Sequence, residues 1–439
     1  MKPFVVRSML LAGACALIAT AASARNMAAD QAAIHASLDK GYAHLDALYK
    51  DIHEHPELAL QETRTAAILA KEMRALGFEV TEHVGKTGIV AILKNGPGPM
   101  VMVRTELDAL PMEEKTGLPY ASHVVTDYRG ARTPVDHSCG HDIHMAAWVG
   151  AAQALVALRS SWHGTLMFIG QPAEETTEGA KAMLEDKLFQ RFGKPDVGFA
   201  QHVGPQPFGT LDYKPGVYNT TSDSLEITFR GRGAHGSTPD AAIDPVVEAA
   251  RFVEAVQTVI SREKDPNAFG VISIGSIQAG SAGNIIPDQA RLSGTIRTRD
   301  GATRAKLLAG IRRTAAAVAA MSGAPAPDVQ LVPGGLVVIN DPAVTAKTEK
   351  VFKAAFGERA HLMAQPINPS EDYSAFINAG VPSLFWGFGG LDPKRLAEYR
   401  ARGEPVPANH NPYFAPVPEP TIRFGVEAMT LAVLNALNP

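Results

Sequence analysis

Apolar residues along this chain fall into two textures, and the change between them outlines its architecture. From Asp30 to Val80 the spacing is helical, as in TAAILAKEMRALGF, where Ala66, Leu69, Met73 and Leu76 share one face. Short apolar runs follow, GIVAILKNG, PMVMVRTEL, GTLMFIGQP and VGFAQHVG, each bounded by Gly or Pro and separated by helical stretches such as MAAWVGAAQALVAL. Runs without polar alternation are strands buried on both faces, so the pattern predicts an α/β fold with a mostly parallel sheet covered by helices.

Near Tyr218 the texture changes. DSLEITFRG alternates like a strand with one wet face, DPVVEAARFVEAVQTVIS is an amphipathic helix, and GVISIGSIQ and ARLSGTIRT are strands again. A further helix, ATRAKLLAGIRRTAAAVAAM, precedes DVQLV. This order of strand, helix, two strands, helix and strand predicts a small α+β unit with one helical layer. After PGGLVVINDP the first texture returns, with PSLFWGFGG as its clearest strand and TIRFGVEAMTLAVLNAL as its last helix. We therefore expect a catalytic α/β domain in two pieces, residues 25–217 and 337–439, with a smaller α+β domain, residues 218–336, inserted between them.

Composition narrows the class without naming the chemistry. The chain has 439 residues, 46% hydrophobic and 20% charged, with a net charge of −4 and no basic block, which argues against a nucleic acid partner. Lys2 and Arg7 precede the apolar run MLLAGACALIATAA and then ASA, the three-part pattern of a secretory signal peptide over residues 1–24. The apolar run is too short for a permanent membrane anchor. The expectation is an exported protein, periplasmic or secreted, and cleavage after Ala24 would leave Cys139 as its only cysteine.

Polar clusters sit where the predicted strands end. Cys139 and His141, in HSCGHDIHMAA, lie one residue apart in a Gly-containing turn before a helix, where thiolate and imidazole can face a common point. Read alone, the pair is a metal site, a capped polar turn, or a cysteine nucleophile with its base. GQPAEE places Glu174 and Glu175 after the strand TLMFI, and adjacent carboxylates at a strand mouth attract a cation or simply face solvent. His202 ends the run VGFAQH, and His410 lies in the turn-forming segment ANHNPYF.

At this point the residues carry a resemblance. HEHPEL, ELDALPMEE, CGHDIHMAA, QPAEE, GRGAHGSTP, GNIIP, GTIR, SEDYSAF and NHNPYF occur in the order and approximate spacing of metal-dependent aminoacylases and carboxypeptidases of the hippurate hydrolase and indole-acetyl-amino-acid hydrolase group, from about His53 to the C-terminus. The resemblance implies a zinc-exopeptidase-like catalytic domain with an inserted lid and dimerisation domain. It also implies two divalent metal ions (Zn, Mn, Co or Ni), bridged by Cys139, with Glu175 and His410 on one and His141 and His202 on the other.

By the same resemblance Glu174 is the general base, and Asn284 and Arg297 contact substrate. His235 reaches the site of a partner subunit, which implies a homodimer or higher homo-oligomer. The chain has Arg104, Thr105 and Glu106 where the family usually has Arg-Ala-Asp, so Glu106 is expected behind the ligands rather than among them. Asp108 and Asp142 are expected to orient ligands, and His144 to support the site or meet substrate. The implied activity is hydrolysis of the amide bond of N-acyl amino acids, with a dipeptidase or carboxypeptidase as the alternative and a non-catalytic binding protein as a remoter one.

Overall fold

The computed structural model describes residues 27–438, so the expected signal segment 1–24 lies outside the described residues. Its larger unit is built on an eight-stranded sheet in the order Glu79–Val84, Gly88–Asn95, Gly164–Gln171, Met100–Glu106, Val197–Pro207, Ser383–Leu391, Leu211–Tyr213, Ala360–Leu362. The four central strands from Gly164–Gln171 to Ser383–Leu391 run parallel, and these are the strands with nearly continuous apolar sequence. Burial on both faces explains that composition. Gly88–Asn95 is antiparallel to both of its neighbours.

One face of the sheet carries the helices Met27–Glu54, His141–Ala157, Pro342–Phe356 and Pro418–Leu437 around a core that includes Trp148, Phe168, Phe199 and Trp386. The helix His141–Ala157 is buried at nearly every position, which accounts for a sequence apolar all round rather than amphipathic. The helical spacing expected from Asp30 to Val80 is interrupted. The first helix ends at Glu54, a second runs over Thr63–Ala75, and Val80 belongs to the strand Glu79–Val84. Pro56 in HEHPEL blocks continuation, because proline disfavours helical backbone in the residue before it.

Residues 223–332 form a separate antiparallel sheet in the order Gly270–Ala279, Gln289–Thr298, Asp223–Arg230, Asp328–Val332. The helices Pro245–Thr258 and Gly301–Met321 pack on one face of it, burying Leu225, Ile227, Phe229, Phe252, Leu307 and Ile311. Asp223–Arg230 alternates buried and exposed positions, the signature of a sheet with one wet face. The connections to the larger unit pair with each other, Gly216–Val217 against Ile339–Asn340. Among the described residues no helix is long and apolar enough to cross a membrane.

Candidate metal centre

The parallel strands deliver their carboxyl ends to one side of the sheet, and the polar residues collect there. The loop after Asp136 turns at Gly140, whose φ is +86° and whose absent Cβ would lie 2.4 Å from Val203 Cγ1. Only glycine combines that backbone with that approach. The turn puts Cys139 beside the strand Val197–Pro207 and starts a helix at His141. That strand runs on past His202 to Pro207 rather than ending at the histidine, so His202 projects from within it.

His141 and His202 are each held by one ring nitrogen and offer the other. His141 Nδ1 donates to the Asp108 carbonyl at 2.7 Å, which leaves Nε2 buried and without a hydrogen-bond partner. His202 Nδ1 donates to the Val203 carbonyl at 2.8 Å, and its Nε2 lies 3.5 Å from Cys139 Sγ. Glu175 is anchored by its own N–H, which donates to Asp108 Oδ2 at 2.9 Å. Its Oε1 is buried without a partner, 3.9 Å from His141 Nε2, and its Oε2 lies 3.3 Å from His410 Nε2. Glu174 Oε2 is 3.9 Å from His141 Nε2.

The ligand atoms of Cys139, Glu175 and His410 lie within 4.8 Å of one another, as do those of His141, Glu174 and Glu175. A buried imidazole nitrogen and a buried carboxylate oxygen, unpartnered and 3.9 Å apart, call for positive charge between them, a proton on the nitrogen or a metal ion in its place. A thiolate, imidazole and carboxylate set fits divalent ions of the zinc type. Electrostatics agree, since the site carries surplus negative charge. Burial alone would lower the pKa of His141, yet Asp108, Glu106 and Glu175 raise it to about 10. Burial and the two glutamates push the Cys139 thiol well up, a shift that a bound cation reverses.

Behind the ligands is a buried ionic network. The Arg104 guanidinium contacts Glu106, donates to Glu371 Oε1 at 2.6 Å and to Asp372 Oδ1 at 3.2 Å, and donates from Nε to Gln171 Oε1 at 2.9 Å. Gln171 in turn donates to Asp372 Oδ1 at 2.6 Å. Burial, then Glu371, Glu175 and Asp372, push the Glu174 carboxyl well above its usual range, against the pull of Arg104. Glu106, Glu371 and Asp372 carry more charge than one arginine neutralises, so Glu174 sits in a field that favours accepting a proton.

The structure redistributes several expected roles. Glu106 Oε2 accepts from His144 Nδ1 at 3.0 Å, and neither residue faces the cleft. Asp142 does not orient a ligand as expected: its carboxylate turns away, to His53 Nδ1 at 2.6 Å and its neighbour's N–H at 2.9 Å. His53 also meets Glu114 at 3.2 Å, so Asp142 belongs to a bridge between the first helix and the segment around Glu114. His137 is buried, with neither ring nitrogen hydrogen-bonded among the described residues.

Composition hid other members of the site. Glu62 accepts from the Ala173 N–H at 2.8 Å, fixing the backbone just before Glu174, where Ala173 adopts a φ of +50°. Sequence reading missed Arg104, Glu371, Asp372 and Glu62 as site residues. A charged residue inside the apolar run MVMVRTE was the available signal for Arg104, since a buried charge requires partners.

A cleft of about 1330 Å³ opens over the cluster, with Cys139, Glu174, Glu175, His202 and His410 on one wall and Asn219, Thr295 and Arg297 of the opposing wall. Arg297 donates to the Thr221 carbonyl at 3.4 Å, and the nearby Asp223 carboxylate is taken by Arg304 at 2.6 and 2.8 Å. His235 and Asn284 lie elsewhere, on one exposed tip of the smaller unit, where the Gly236 N–H donates to the Asn284 carbonyl at 2.7 Å. Neither lines the cleft of its own chain. His235 Nδ1 is occupied by Ser237, at 2.7 Å from its hydroxyl oxygen, which leaves Nε2 outward.

The chain is 38% identical over 330 residues to a hippurate hydrolase of Campylobacter jejuni, covering 74% of this chain and 82% of that one. It is 32% identical over 394 residues to thermostable carboxypeptidase 2 of Saccharolobus solfataricus, covering 89% and 94%. Its fold matches a solved dinuclear metal binding peptidase of Bacillus subtilis with a TM-score of 0.72 at 28% identity, covering 91% and 99%. With residues 102–435 matched by the model of peptidase family M20/M25/M40, the chain belongs to that family.

Proposed function

We propose that this protein is a metal-dependent amidohydrolase that cleaves the amide bond of N-acyl amino acids. One observation carries the reading: His141 Nε2 and Glu175 Oε1 face each other as buried atoms without hydrogen-bond partners at 3.9 Å, with Glu174 Oε2 equally close to that nitrogen. Cys139, Glu175 and His410 would hold one divalent ion and His141 and His202 a second, with Cys139 between them. Bound there, such ions supply Lewis acidity and lower the pKa of water to about 7.

The chain's own residues do the rest. Glu174 takes a proton from the attacking water at its carboxylate and returns it to the leaving amine, a function its raised proton affinity suits. Arg297 presents a planar fork matching the substrate's free carboxylate. The exposed His235 reaches across a homodimer to the partner's cleft, where it donates to the developing oxyanion. A dipeptidase or carboxypeptidase reading uses the same site and draws support from the likeness to thermostable carboxypeptidase 2. The charged, apolar and small-residue regions of residues 1–24 support export to the periplasm or beyond.

The test is turnover of N-acyl amino acids and of free-amine dipeptides by metal-loaded mature protein, with and without chelator. Hydrolysis of the acylated substrates, lost on chelation and restored by Zn, Mn, Co or Ni, is the expected result. Turnover confined to dipeptides favours the alternative, and turnover insensitive to chelator overturns both.

A further inference from the structure

Tyr218 stands at the junction of the two units and has no part in the chemistry above. It is 2% exposed, yet it borders the cleft. Its backbone is fixed on both sides, the N–H donating to the Val338 carbonyl at 2.9 Å and the carbonyl accepting from the Ile367 N–H at 2.9 Å. Its ring packs on Phe385 with centroids 5.2 Å apart, and Phe385 in turn lies 6.5 Å from the His202 ring. The ring is therefore held in place from behind the metal cluster.

The hydroxyl is placed as closely as the ring. Gly387 is the in-register neighbour of His202 across the parallel pair of strands, and a Cβ at Gly387 would meet the Tyr218 hydroxyl oxygen at 3.0 Å. The oxygen thus sits on the floor of the cleft beside a metal-ligand position. It has no hydrogen-bond partner among the described residues, and it is not one of their fully buried polar atoms, so it opens to the cleft. The carboxylates near enough to influence it are engaged elsewhere, Asp212 with His361 at 2.9 Å and Glu371 with Arg104 at 2.6 Å. Burial, then those two acids, hold the phenol protonated, so it is a donor whose acceptor comes from the cleft rather than from the described residues.

We propose that Tyr218 is the acyl-side positioning residue of this enzyme: its hydroxyl donates to the acyl oxygen of the bound substrate, and its ring, with Phe385, forms the wall against the acyl group. The assignment rests on the N-acyl amino acid reading of the site. Every amide substrate carries that oxygen, so the hydroxyl fixes where the scissile carbonyl sits while the two rings meet the group beyond it.

Calorimetric binding of N-benzoylglycine and N-acetylglycine to metal-loaded Glu174→Gln protein, with and without Tyr218→Phe, tests it, alongside kinetics of the single Tyr218→Phe variant. Loss of one hydrogen bond should weaken both ligands by about tenfold and lower kcat/KM similarly, with Tm and metal stoichiometry unchanged. Gly387→Ala, which displaces the hydroxyl while keeping it, should reproduce the loss. Equal affinities in the two proteins overturn the assignment, as does a weakening matched by a fall in Tm, which would make Tyr218 a packing residue. If the Glu174→Gln protein binds dipeptides but no N-acyl amino acid, the functional reading fails on its own; the Tyr218 comparison is then made with a dipeptide, and equal affinities there overturn the assignment separately. Binding of neither class overturns both.

Discussion

His144 Nε2 accepts the backbone N–H of Val203 at 2.7 Å, tying the residue after His202 to the helix that begins at His141. With that nitrogen accepting, the proton of the neutral ring sits on Nδ1 and is donated to Glu106 Oε2 at 3.0 Å. The atoms of Glu106, His141, His144 and His202 cluster as ligands would, within 4.8 Å, but both His144 nitrogens are already committed. His144 is a brace that sets where His202 points.

Replacing His144 by Ala should therefore weaken metal retention rather than remove a ligand. Loss of a residue supporting ligands typically costs about 10- to 100-fold in metal affinity. Competition titration with a chromogenic chelator measures this, and unchanged affinity would refute the brace. The Val203 N–H and a Glu106 oxygen also lose partners, so stability should fall by about 1–3 kcal/mol per group left unsatisfied.

Glu106 spans from the Arg104 guanidinium to His144. Glu106→Asp shortens it by one methylene and cannot preserve both contacts without movement of the strand Met100–Glu106. We expect a stability loss of about 1–3 kcal/mol, read as a lower denaturation midpoint. Metal affinity should fall in the same direction as in His144→Ala, and a variant as stable and as tightly loaded as wild type would show that the longer side chain is incidental.

Glu174→Gln should reduce turnover by about 10²- to 10⁴-fold, the usual contribution of a positioned proton acceptor, while elemental analysis finds metal at wild-type stoichiometry. Metal loss in this variant would instead make Glu174 a ligand.

His53 links the first helix to Asp142 and Glu114. Burial lowers its pKa, but bonds to these two carboxylates outweigh that and raise it from 6.5 to about 10. A raised pKa means that the folded state binds the proton more tightly, so this stabilisation is complete below about pH 6.5 and is lost as pH climbs towards 10. His53→Gln should flatten that alkaline decline in thermal stability. It should also destabilise the protein at neutral pH, by about 3–5 kcal/mol if Asp142 remains charged without its partner.

Gly140→Ala introduces a Cβ 2.4 Å from Val203 Cγ1 at a φ of +86°. Relief requires the Cys139 turn to shift away from His202, so metal content should drop before the fold is lost. Full loading with an unchanged melting curve would show that the turn has slack.

The central strands and the smaller unit's alternating elements were legible because their signals are local. Continuous apolar runs follow from burial between helical layers, and alternation in Asp223–Arg230 follows from one wet face. Helix limits around HEHPEL were not legible from spacing alone, since apolar residues continue in near-helical intervals through the break. For the site, GQPAEE and CGHD were each ambiguous when read alone, and their order along the chain with the other motifs carried the resemblance that gave them roles. The direction of Asp142 was not readable, because its partner His53 is 89 residues away.

By itself the sequence determined a parallel α/β core with a second, half-exposed sheet, and it marked Cys139, His141, Glu174, Glu175, His202 and His410 as polar residues gathered near strand ends, their roles as ligands or general base being implied by the resemblance. Periodicity and residue type carry that much, being properties of short segments. Only the tertiary structure decided which nitrogens of His141 and His202 are held, that Arg104 gathers Glu371 and Asp372 from 267 and 268 residues away, and that Tyr218 borders the cleft. Those facts depend on which buried donor finds which acceptor, and a chain meets its distant partners only once it has folded.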